Sequence, residues 1–502
     1  MRFQSLKFKH IALLLCGLLL SFGPSAAQVP VAPVELRGYS GLTSHEELSA
    51  FVQSLEGYPG LHVQSIGRSG QGREVFSVMI GHGNTSGGDS TRLRMLLFAQ
   101  QHGDEPSGKE ALTVFLARCA SGEYDDELQS LDIVVVPQMN PDGAELRQRL
   151  TADSIDLNRS HLLLSSPEVR GLHDLFRAWM PDVTVDIHEY SSFAEPWVQA
   201  GIIKTGDIQM GLLSNLNCSE AIREYQKESV LPFLSSYMEE RGFSFHEYLV
   251  GSPSDRIRYS TTEINDGRQA FGILGAISFI QEGRTWRTLE DQLERRTGSQ
   301  LTALEGLVRF CADRASQIRS LLRNERRRLR ECAGSSFITV MEYEGDGDSL
   351  QIPAMDLEAD REIRWKVEPF HGRVRAIASS TLPFAYMVPR ELTGILELLL
   401  SHGVEVDTLR RMATTPGEVF HIDSLTIEIL QDQQHLRVWG GGFTRRVVLR
   451  PGDILVPVNQ RHALFVATVL EPQSMWGLSR YQRFEELFQG ARYPIIKIPV
   501  SR

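Results

Sequence analysis

The chain has 502 residues, 42% hydrophobic and 23% charged, which describes an ordinary globular protein with room for two or three domains. Its formal net charge of -11 argues against a nucleic-acid partner, because phosphate binding needs concentrated positive charge.

The first 27 residues read as a signal peptide. Arg2, Lys7 and Lys9 form a positive region, and Ile11 to Phe22 form an apolar core too short to favour a spanning helix. Ser25-Ala26-Ala27 supplies the small residues of a cleavage site, so a periplasmic or secreted location is expected. Cys16 follows Leu15 inside the apolar core, a poor setting for lipoprotein cleavage. No later stretch is long and apolar enough to span a bilayer. Export leaves Cys119, Cys218, Cys311 and Cys332, an even count that permits disulfides without choosing among three pairings; buried free thiols are the alternative.

From about Val34 to Cys332, strands alternate with helices. Glu74 to Ile80, Met95 to Gln100, Ile133 to Pro137, Val183 to Ile187 and Ala276 to Ile280 read as buried strands. Helical patterns cover Leu212 to Glu240, interrupted at Pro232, and Leu301 to Leu329. This predicts an α/β fold with a mainly parallel mixed sheet and helices on both faces, binding ligands at the carboxyl ends of its strands. The basic run Arg326 to Arg330 reads as a solvated helix face.

After Cys332 the pattern turns to short strands and tight turns, giving a smaller β-rich domain over 335–502 behind a catalytic domain over 28–334. Phe337 to Tyr343, Leu425 to Leu430, Leu436 to Trp439 and Val447 to Leu449 are its predicted strands, with a helix around Leu392 to Leu400. Asp346 and Asp348 read as a solvated turn in preference to calcium ligands.

Chemistry-bearing residues gather at the predicted strand ends. His102-x-x-Glu105 follows the strand at Met95 and precedes a helix marked by Ala111, Leu112, Phe115, Leu116 and Cys119. Such a turn can aim an imidazole and a carboxylate at one point, and a catalytic zinc needs one further protein ligand. Asn140-Pro141-Asp142-Gly143, Asp156-Leu157-Asn158-Arg159, His188 and Glu282 come at or soon after later strands.

In this order the motifs resemble the zinc carboxypeptidase family over roughly residues 35 to 310, with Ile66-Gly67-Arg68-Ser69 and Gly72-Arg73 similar to its lead-in. The resemblance implies one zinc ion held by His102, Glu105 and His188, with Asp156 orienting His102. It implies Glu282 as general base, Arg149 as the group that polarises the scissile carbonyl, and Asn158 and Arg159 as binders of the substrate's terminal carboxylate. Arg147 competes for the role of Arg149, because Thr151 and Ser154 depart from residues often found in bacterial relatives. Tyr259 is the nearest candidate for the family's mobile tyrosine, although Arg256-Ile257-Arg258-Tyr259 is no firm match; Arg256, Arg258 and Arg268 are candidates for contact with an acidic substrate.

Glu189 competes with Glu282 as base but should point to the opposite strand face. His161, His173, His246, His402 and His462 read as structural. The expected function is zinc-dependent cleavage of peptide bonds, removing C-terminal residues from a peptide or small amide substrate. A deacylase of N-acyl amino acids or cell-wall peptides, and a non-catalytic binding protein, are the alternatives.

Overall fold

A computed structural model describes residues 29–81, 91–345, 347, 349–430 and 433–500. The signal-peptide reading, Asp346 and Asp348 lie outside these residues. Among the described residues, no helix is long and apolar enough to cross a membrane.

The first strands are β1 (Leu61–Arg68), β2 (Glu74–Ile80), β3 (Leu93–Ala99), β4 (Leu131–Val136) and β5 (Val183–Tyr190). They are followed by β6 (Ile202–Lys204), β7 (Ile208–Gly211), β8 (Phe245–Glu247), β9 (Leu249–Val250), β10 (Ile257–Tyr259) and β11 (Ile277–Arg284). Eight of them form one sheet in the order β1-β2-β4-β3-β5-β11-β7-β8. The centre, β4-β3-β5-β11, is parallel, and antiparallel pairs flank it. Strands β3, β4, β5 and β11 are buried along their whole length, which explains the mostly apolar sequences of β3 and β4. Helices Ser107–Ala120 and Leu293–Asp313 pack together, the latter bonded to β5 through Arg296 and Glu189. On the other face, Phe271 of the Gly267–Gly272 helix stacks on Phe176 at 4.3 Å and meets Phe98 of β3 edge-on at 5.9 Å.

Strands β5 and β11 each run two residues beyond the catalytic candidates His188 and Glu282, further than the apolar patterns alone indicate. The helix expected over 301–329 is two helices, Leu293–Asp313 and Ala315–Leu329, broken at Arg314. Pro232 does not end its helical stretch: it follows a π-helical turn, Gln226–Val230, that leads directly into Leu231–Glu239. The four described cysteines are free thiols, so the disulfide alternative is not realised.

The C-terminal segment contributes β12 (Ser336–Glu344), β13 (Leu350–Asp356), β14 (Arg361–Val367), β15 (Phe370–His371) and β16 (Arg373–Thr381). Beyond them the separate short strands read from the sequence are parts of one long hairpin, Ala413–Leu430 against Gln433–Leu449. The segment is woven into the preceding one. β13 pairs with β6, and β15 pairs with β10. Trp365 of β14 meets Trp197 at 5.3 Å.

Candidate active site

At the end of β3 the backbone turns through Gln100, whose φ is 56°, and lifts Gln101 to Glu105 off the sheet. Asn140 fixes this turn from below: its Nδ2 donates to the carbonyls of Gln101 and Arg149, and its Oδ1 caps the helix Pro141–Leu146 at Gly143 N. Asp142 accepts from Ser69, Arg73 and the Gln71 backbone, which joins the lead-in hairpin to the same scaffold. Gly103 lies against the Gly143 backbone, where an added Cβ would come within 2.0 Å of a carbonyl carbon. The Asn-Pro-Asp-Gly motif therefore builds the floor of the site.

His102, Glu105 and His188 are buried and converge, with a ligand-type atom from each within 4.8 Å of the others. His102 Nδ1 lies 2.7 Å from Glu105 Oε1, and His188 Nδ1 lies 2.8 Å from Glu105 Oε2. The outward nitrogens face carboxylates: His102 Nε2 is 3.2 Å from Asp156, and His188 Nε2 is 2.9 Å from Asp186. With an ion bound, each ring would keep its proton on Nε2, toward its outer carboxylate, and offer the Nδ1 lone pair inward. Those two Nδ1 atoms are 3.1 Å apart. Burial opposes a charge on either imidazole, yet Glu105 beside both, with Asp186 beside His188, outweighs it and holds both above the usual histidine range. Burial likewise opposes the Glu105 charge, but the two rings hold its carboxyl well below the usual range. Two imidazole nitrogens and a carboxylate in a buried anionic niche are a donor set that fits zinc.

The base candidate is placed by strand register. β11 pairs with β5 so that Glu282 stands opposite His188. Burial, reinforced by the charge on Glu105, pushes Glu282 up to about 7 against the opposing influence of the two imidazoles. Arg149 reaches across from the other side, its guanidinium 3.1 Å from Asp156 and 3.5 Å from Glu105. Arg147 points away into an ion pair with Glu290 at 2.5 Å. Glu189 occupies the opposite face of β5, bound to Arg296 at 2.7 Å and to the Ser107 backbone at 2.9 Å.

Residues 48–162 match the family model described as zinc carboxypeptidase. The carboxypeptidase 2 of Trichophyton rubrum is 25% identical over 479 residues, covering 92% of this chain and 87% of its own. Over this stretch the chain is similar to the zinc carboxypeptidase family. The carboxypeptidase D of Drosophila melanogaster is 34% identical over 142 residues, 23% of this chain and 10% of that one. Among solved structures, the metallo-carboxypeptidase from Pseudomonas aeruginosa is 20% identical with a TM-score of 0.43, covering 56% of this chain and 71% of that one.

Asn158 and Arg159 lie beside the cluster. Asn158 Oδ1 accepts from Gln101 Nε2 at 3.3 Å and from Gly267 N at 2.9 Å. The exposed Arg159 shares its surroundings with Asp156 and Tyr248. Tyr259 does not join them. It is buried, and its hydroxyl accepts from Leu212 N at 2.6 Å. The tyrosine beside the Glu282 carboxylate is the half-buried Tyr248, which favours the charged form of that group. Its position between two two- and three-residue strands left no periodic signal to single it out. The arginines considered for an acidic substrate have protein partners: Arg256 on Glu342 at 2.9 Å, Arg258 on the Ser260 carbonyl, and Arg268 on Asp266 at 3.0 Å.

Two further residues escaped the sequence reading. Asp186, two positions before His188 on the same strand face, accepts from Gln101 Nε2 at 2.8 Å as well as from His188. That alternation was visible in Val185-Asp186-Ile187-His188. Lys204 is buried between Tyr190 and Trp197, with its ammonium 4.4 and 5.0 Å from their ring centres. Burial lowers it to about 8, and the Glu282 charge acts in the opposite direction. β6 carries Lys204 into this position while bonded to β13 of the C-terminal segment.

Proposed function

We propose that this protein is an exported zinc metallocarboxypeptidase that removes C-terminal residues from peptides. The observation that carries the reading is the pairing of an inward-facing His-Glu-His ligand set with a buried carboxylate opposite one of its histidines. His102, Glu105 and His188 would hold the ion, which when bound supplies Lewis-acid polarisation and lowers the pKa of water.

The protein's own groups do the rest. Glu282 is poised near neutrality, where a carboxylate is basic enough to take a proton from attacking water and acidic enough to return it to the leaving nitrogen. Arg149 is held at the site by Glu105 and Asp156, and its guanidinium would stabilise negative charge developing on the carbonyl oxygen. Arg159 offers a planar fork to a terminal carboxylate, and Asn158 fixes the adjoining turn to the metal site through Gln101. A requirement for a free carboxylate follows. The amino-terminal region supports export through its signal-peptide pattern.

The test is cleavage of matched peptides with free and amidated C-termini by zinc-loaded protein. Trimming confined to the free-carboxylate peptide supports the reading, whereas preferential hydrolysis of N-acyl amino acids would favour the deacylase.

A further inference from the structure

The basic run that reads as a solvated helix face has a different setting in the fold. On helix Ala315–Leu329 and its cap, Arg319, Arg323, Arg326, Arg327 and Arg330 fall at i, i+4, i+7, i+8 and i+11, one side of the helix. They face Arg92 and Arg94 at the start of β3 across a cavity of about 450 Å³, a size that suits a small-molecule ligand. Seven arginines line it against two carboxylates, Asp182 and Glu331. Asp182 is engaged by Arg326 at 2.7 Å and by the Arg94 backbone at 3.0 Å. Among the described residues, Arg323 and Arg330 make no ion pair. Like charges spaced three and four apart repel one another along a helix face. The chain as a whole carries a net charge of -11.

A second observation comes from the C-terminal segment. Arg461 is nine-tenths buried behind Met180, which lines the cavity, and its Nη1 touches the Met180 sulfur. Its Nε donates to the Leu274 carbonyl at 2.9 Å, while Nη2 is buried without a hydrogen-bond partner. Burial draws this guanidinium down to about 9; Arg326 and Arg330 add to that, and Asp182 opposes it.

The cavity lies at the amino ends of β3 and β5, whereas the catalytic cluster lies at their carboxyl ends. Asp182 and His188 are six residues apart along β5, about 20 Å at the rise of a strand. A peptide held at the zinc site does not extend through the sheet to reach it.

We propose that this cavity is a second binding site, separate from the active site, for an anion carrying clustered phosphate groups. Guanidinium groups match phosphate oxygens in pairs, and even with Asp132 on Arg92 and Asp182 on Arg326 the lining holds more arginines than carboxylates, which calls for several negative charges. Free polyphosphate and the phosphorylated headgroup of a lipid share that chemistry.

Titration calorimetry of the full chain with tripolyphosphate at 0.15 M salt, and sedimentation with vesicles of phosphatidylcholine alone or with the two-phosphate lipid cardiolipin, tests the proposal. Binding to tripolyphosphate assigns a soluble ligand, and binding only to the anionic vesicles assigns a headgroup. The double variant R323Q/R330Q is expected to weaken whichever binding is seen at least tenfold, with zinc-dependent peptide hydrolysis unchanged. The charge-matched control R445Q/R446Q, on the exposed hairpin, should bind as the unaltered protein does. Absence of binding to both probes overturns the proposal. So does an equal loss in the control, which would reduce the effect to general electrostatics.

Discussion

His188 and Asp186 lie on one face of β5, and the Asp186 carboxylate holds His188 Nε2 at 2.9 Å. The bond sets the tautomer that turns Nδ1 toward Glu105. It also begins a longer chain of contacts. Gln101 donates to Asp186 and therefore accepts, through Oε1, from His161 Nε2 at 2.9 Å; His161 Nδ1 then receives the Nε2 proton of His173 at 3.1 Å. The His173 ring meets that of His402, in the C-terminal segment, at 5.3 Å.

Asp186→Ala is accordingly expected to weaken zinc affinity about 10- to 100-fold, the usual cost of losing a group that orients a metal-bound histidine. Competition with a fluorescent chelator measures it. An unchanged zinc affinity would remove Asp186 from the metal site.

Glu282→Gln should lower kcat by roughly 10²- to 10⁴-fold, the range for loss of a general base, while zinc content stays at one per chain. Glu189→Gln should act differently. It breaks a buried pair with Arg296 and should lower stability without a comparable specific loss in kcat. Metal analysis and thermal unfolding, run beside the kinetics, separate the two.

The acid limb of kcat/KM should rise with pH as Glu282 deprotonates, since only its carboxylate accepts a proton. Tyr248 favours that charged form, so Tyr248→Phe should move the limb to higher pH. A shift to lower pH, or none, would separate Tyr248 from the base.

Acid should loosen the join between the two parts of the chain. Burial draws His161 down to about 4 and His402 to about 3, and it holds His173 well below the usual range. Unfolded histidines protonate near pH 6.5, so the unfolded chain gains protons that the folded chain refuses as pH falls below that value. The stabilisation is complete above about pH 6.5 and is lost as pH falls toward the folded values, on the order of 3 kcal/mol for His161 and 5 kcal/mol for His402. Unfolding temperatures between pH 7.5 and 5 should fall steeply, and His402→Gln should make the slope shallower. A flat profile would contradict this assignment.

The ligand positions were legible because a parallel sheet presents its functional groups beyond strand ends, and His102, Glu105, His188 and Glu282 each follow an apolar run long enough to recognise. Strand alternation correctly assigned Glu189 to the far face. What stayed hidden depends on contacts distant in sequence. Tyr248 reaches Glu282 from between two very short strands, and Tyr259, chosen by spacing, is held by the Leu212 backbone. The long hairpin was read as fragments because Pro416 and the run Gly440-Gly441-Gly442 look like breaks, whereas the ladder continues through them. The pairing of β13 with β6, which secures Lys204 near the base, could not be inferred from either segment alone.

The central claim is that the His102-Glu105-His188 cluster and Glu282 together make a zinc-dependent enzyme acting at a free C-terminus. Mass spectrometry of a peptide library treated with zinc-loaded protein, metal-stripped protein and zinc-loaded Glu282→Gln tests it most directly. The account predicts stepwise loss of C-terminal residues in the first sample, near-complete loss of that activity in the other two, and no trimming of amidated peptides. Equal trimming after metal removal, or cleavage only at acylated N-termini, would contradict it.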